Sequence, residues 1–116
     1  MEREFRIVHV ILDPWCKDQI AIGALTSEGF VARPGVVERV RGYCNGAPES
    51  PRKDLLRAVA DWGWLVESVL RSLNTVEDLN MPSLSPYIAA GPVQTAPEFD
   101  TEVFGLKQFV LVAIFP

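Results

Sequence analysis

Histidine occurs once in the chain, at His9, and cysteine twice, at Cys16 and Cys44. A structural zinc site takes four ligands at recognisable spacings, and three scattered donors do not supply them, so no metal is expected. The cysteines form no CxxC pair and are expected as free thiols in a reducing compartment. The eight glycines fall into no dinucleotide-binding or phosphate-loop pattern, which removes those routes to a nucleotide, and no cofactor is expected. Basic residues are in deficit, 11 against 15 acidic, for a net charge of −4. That balance disfavours a general nucleic-acid binder, which needs cations to meet phosphates.

Long hydrophobic runs are also missing. The longest, FVLVAIF at 109–115, is far short of the roughly 20 residues that cross a bilayer. The opening MEREFRIVHVIL mixes charges at its start and is interrupted by His9, unlike a secretory signal. A soluble, cytoplasmic chain with no membrane role is the expectation.

What is present is ordinary globular material. The chain has 116 residues, 48% hydrophobic and 22% charged, which fits one domain over 1–116 with a single core. Residues 4–12, EFRIVHVIL, are rich in β-branched and aromatic types and read as a strand apolar on both faces. A turn at DPWCKD leads to a second strand at 19–26, and SEG at 27–29 turns it into FVAR. Residues 36–42 read as a short helix stopped by Gly42, with a strand as the alternative. The clearest periodicity begins at Ser50, a favoured N-cap, followed by Pro51 at the first helical position. From there Leu55, Val59, Trp62, Val66, Val69 and Leu73 recur at spacings of three and four, one apolar stripe of a helix over 50–73.

Residues 74–102 contain Pro82, Pro86, Pro92 and Pro97 and no basic residue. So long a structureless segment is unusual in a compact domain, so it is expected either to hold a short strand, with YIAA at 87–90 the candidate, or to form a lid. KQFVLVAIF at 107–115 reads as a last strand, apolar on both faces and placed beside the first. The fold class expected is α+β: a mainly antiparallel sheet of about four to five strands packed on one long amphipathic helix (50–73).

Two strands buried on both faces need two covers, and one helix about 10–12 Å across cannot close even one face of a four-stranded sheet. A second copy of the chain is the simplest remaining cover, so self-association as a homodimer or higher oligomer is expected. Trp64 bears on this. It lies two residues from Trp62, about 200° around the helix, among Arg57, Asp61, Glu67, Ser68 and Arg71. Tryptophan and arginine are frequent binding hot spots, so Trp64, Arg57 and Arg71 are the candidate interface residues. Gly63 beside it costs a helix interior about 1 kcal/mol relative to alanine, which a close approach by another element would explain.

Reactive side chains are densest in HVILDPWCKD. A histidine near a cysteine can stabilise a thiolate, so a small enzyme built on His9, Asp13 and Cys16 is the alternative function. The leading expectation is a non-catalytic module binding a small molecule or a protein, with His9, Trp15 and Trp62 as ligand-binding candidates. The alternating Glu98, Asp100 and Glu102 read as a solvated acidic edge. Charge is uneven: residues 33–57 carry six bases against three acids, a net +3, and residues 74–102 carry five acids and no base, a net −5.

Overall fold

The computed structural model describes residues 3–13, 18–45, 62–84, 87–97 and 105–115. Its architecture is α+β, an antiparallel sheet of five strands with helices on both faces. Strand β1 (Glu4–Asp13) lies at the centre, as its two apolar faces require. On one side it pairs with β2 (Asp18–Thr26), which turns into β3 (Gly29–Ala32). On the other side it pairs with two short strands, β4 (Ile88–Ala90) and β5 (Gln94–Thr95).

Local chemistry fixes the registers. At the β2–β3 turn the Thr26 hydroxyl donates to the Gly29 carbonyl at 2.6 Å and accepts from the Glu28 N–H at 3.1 Å. Gly29 takes φ 115°, a conformation other residues rarely adopt. Between β1 and β2 the register slips after the Val8–Gly23 pair, so that His9 faces Ala21 and Ile22 is the extra residue of a bulge. Gly23 is required here, because a Cβ would fall 2.5 Å from both the Phe30 ring and the Val31 carbonyl oxygen.

The opposite edge has its own bulge. β4 pairs Val8 with Ala90, β5 pairs Glu4 with Thr95, and Gly91, Pro92 and Val93 take up the one-residue difference. Hydrogen bonds from Gly91 N–H to the Ile7 carbonyl and from Ala96 N–H to the Arg3 carbonyl, both 2.8 Å, carry the pairing across it. Arg6 braces the kink: its Nε donates to the Gly91 carbonyl at 2.9 Å and its Nη1 to the Leu79 carbonyl at 3.0 Å. One side chain thereby ties the edge strand to the segment that precedes it.

Each sheet face carries a core. On the first, Val8, Val10, Ile22, Leu25, Phe30 and Ile88 meet helix α1 (Val36–Asn45), through Val36 and Val40, and helix α2 (Trp62–Leu73), through its inward stripe. That stripe is Trp62, Val66, Val69 and Leu73, at the spacing read from the sequence. On the second, Phe5, Ile7, Ala24 and Ala96 meet Leu106, Val110 and Phe115. These come from α3 (Leu106–Phe109), which runs on into a π-helical turn, Val110–Ile114.

Two expectations are corrected. The single long helix over 50–73 is replaced, among the described residues, by three short helices on two faces; α2 has 12 residues, and 50–61 lie outside the described part. The segment 107–115 is helical rather than a strand beside β1. A run apolar in every position has no alternation to separate strand from helix, and its valines and isoleucine favour a strand only locally. Leu106, Phe109, Val110, Ile114 and Phe115 still fall on one side, because the Phe115 N–H bonds to the Val110 carbonyl five residues back at 3.1 Å. The wider turn brings Phe115 onto the buried side with Val110.

Candidate functional site

The outer side of α2 follows from the burial of its inner side. Trp62 is 3% exposed and meets Tyr87 edge to face, with centroids 5.2 Å apart and planes at 79°. Two residues further on, Trp64 is 61% exposed. Glu67 and Arg71 continue the exposed stripe, with Ser68 half-buried between them, and Asn74 and Thr75 follow where the helix ends. The two tryptophans therefore do different work, one in the core and one at the surface.

Gly63 accounts for how α1 and α2 meet. It is buried, and the Arg41 side chain from α1 lies across its backbone. A Cβ at Gly63 would overlap Arg41 Nε and come within 2.8 Å of Cζ. The glycine, unfavourable for the helix by about 1 kcal/mol, makes room for a guanidinium one residue from Trp64. The surface of α2 thus carries an exposed indole, an exposed guanidinium at its N-terminal end, and the Glu67 and Arg71 charges. Beyond its C-terminal end the exposed Glu77 and Asp78 are acidic, with the Asp78 carboxylate accepting from the Asn80 N–H at 2.8 Å.

His9 lies elsewhere. Strand alternation puts it on the second face with Phe5 and Ile7, whereas Trp62 belongs to the first. The described residues therefore do not bring His9 and Trp62 into one pocket. The neighbours of His9 across the sheet are alanines, Ala21 on β2 and Ala89 on β4, and its ring reaches toward Gly91, where a Cβ would lie 3.9 Å from Cε1. Half-buried among small residues, the imidazole is held below its ordinary value of 6.5 by desolvation. It is neutral at pH 7, with one nitrogen a donor and the other an acceptor.

Trp15, Cys16, Arg57, Glu98, Asp100 and Glu102, and the side chain of Asp13, lie outside the described residues, and the His9–Asp13–Cys16 cluster lies outside them too except for His9. Among the described residues no group of three or more His, Cys, Asp and Glu side chains is placed to hold a metal ion. No described helix is long and apolar enough to cross a membrane. Sequence reasoning missed Arg41 as the side chain packed against Gly63. Gly63 inside an otherwise regular helix was the available signal, and it pointed to a close approach without saying which element made it. Comparison with family models, with curated proteins and with solved structures gives no match.

Proposed function

We propose that the chain is a non-catalytic binding module that self-associates as a homodimer or higher oligomer, in the cytoplasm, through the outer side of α2. The observation that carries this is Trp64, 61% exposed on a helix that buries its other tryptophan to 3%. An exposed indole that shares the outer stripe of α2 with Arg71 has the composition of an interface hot spot, where tryptophan and arginine are enriched. The C-terminal helix covers part of the sheet's second face, so it is the exposed Trp64 on α2, rather than an uncovered sheet, that calls for a second copy. Light scattering on the full chain tests it: association at micromolar concentration that Trp64→Ala weakens supports the reading, and a monomeric wild type refutes it.

His9 favours a second reading, a small ligand held on the opposite face of the sheet. A half-buried neutral imidazole bordered by Ala21, Ala89 and Gly91 offers one donor and one acceptor beside small side chains. Titration of the imidazole resonances during addition of candidate ligands tests it. Resonances that stay unmoved across a chemically diverse set would remove it.

A further inference from the structure

The exposed charges of α2 are ordered along its axis, and the order selects how a second copy can pair with it. Glu67 and Arg71 lie four residues apart on the outer stripe, about 6 Å along the helix. Trp64 marks the N-terminal end of that stripe, and the exposed Asn74 and Thr75 follow its C-terminal end. Two copies laid side by side in parallel would set Glu67 against Glu67 and Arg71 against Arg71. Laid antiparallel about a level between the two, they set Glu67 against Arg71 at both reciprocal contacts.

We propose that two copies of the chain pair antiparallel along the outer side of α2, with a twofold axis passing between Glu67 and Arg71. This rests on the reading of Trp64 as a self-association anchor and adds the partner's orientation. A twofold interface is self-complementary, so each contact occurs twice. Glu67 of each copy meets Arg71 of the other. Trp64, five residues from the axis level, lies over Asn74 and Thr75 of the second copy. Aromatic contact supplies the anchor, and the charges fix direction and register.

Sedimentation equilibrium on the full chain tests the geometry with E67R and R71E, each confirmed folded by circular dichroism. In the antiparallel pair either substitution alone makes both reciprocal contacts like-charged and weakens self-association about tenfold or more. An equimolar mixture of the two single variants again has opposite charges at both contacts and recovers near-wild-type association as a heterodimer. The double variant E67R/R71E recovers it as a homodimer. Single variants that associate like the wild type overturn the proposal, as does a mixture that stays weak. If Trp64→Ala still weakens association in that case, α2 remains an interface with another geometry, and only the antiparallel pairing falls. A monomeric wild type overturns both.

Discussion

The helix pair α1–α2 and the C-terminal helix α3 both cover the sheet, but they present different surfaces outward. The pair locks together where Arg41 crosses Gly63, and its outer side shows Trp64 with Glu67 and Arg71. On the second face, the described residues of α3 and its π turn show Lys107, Gln108, Val112 and Ala113, an apolar patch beside a base and without an acid. Val112 is 54% exposed, nearly as open as Trp64. Exposure alone therefore does not separate the two surfaces. What separates them is that α2 carries both signs of charge in an order that complements itself, whereas α3 has a base and no acid to pair with it across a twofold.

Their inner sides differ too. The first face is filled by large side chains from two helices, with Trp62 against Tyr87. The second is thinner, with Ala24 and Ala96 in its core and His9 half-buried beyond it. Trp62→Ala should break the first face at the largest cost, about 3–5 kcal/mol of unfolding free energy by denaturant titration. Gly23→Ala comes next, at about 1–3 kcal/mol, since the added methyl meets the Phe30 ring and a backbone oxygen that cannot move aside cheaply. Hydrogen exchange should sharpen the contrast, with α3 amides exchanging faster than those of α2 because a single short helix opens without disturbing a partner helix.

Acid should act on the thinner face first. Burial lowers the His9 value below 6.5, so the unfolded chain binds that proton more readily than the folded one. The contribution is whole above pH 6.5 and is lost as pH falls from there through the folded-state value. His9 is the chain's only histidine, so His9→Gln should flatten the stability profile just below pH 6.5, before the carboxylates titrate. A slope unchanged by His9→Gln would mean that another group titrates there. The smallest effect belongs to Val112→Ser, which should leave both stability, within about 0.5 kcal/mol, and association unchanged.

Much of this arrangement was legible from residue pattern. The β-branched and aromatic run at 4–12, the SEG turn and the stripe ending at Leu73 each carry a composition, a turn signature or a period strong enough to stand alone. The helix at 36–42 was shorter in the reading than the ten residues of α1. The segment 107–115 was misread because uniform apolarity erases period, and only the sheet's need for cover on its second face decides the outcome. The bulges at Ile22 and at Gly91 to Val93 leave little pattern in sequence, yet they set which residues flank His9. Trp64 was correctly placed outward by helical geometry. The Arg41 side chain at Gly63 comes from another element, and finding it required the packing of α1 on α2 to be known.

The most direct measurement is sedimentation equilibrium of the full chain and its Trp64→Ala variant, run beside denaturant unfolding of both. The expected result is a wild type that associates at micromolar concentration and a variant that does so markedly less, with unfolding midpoints that coincide when both are measured as monomers. A wild type that remains monomeric, or a variant that associates as tightly as the wild type, would contradict the assignment of α2's outer side as the interface.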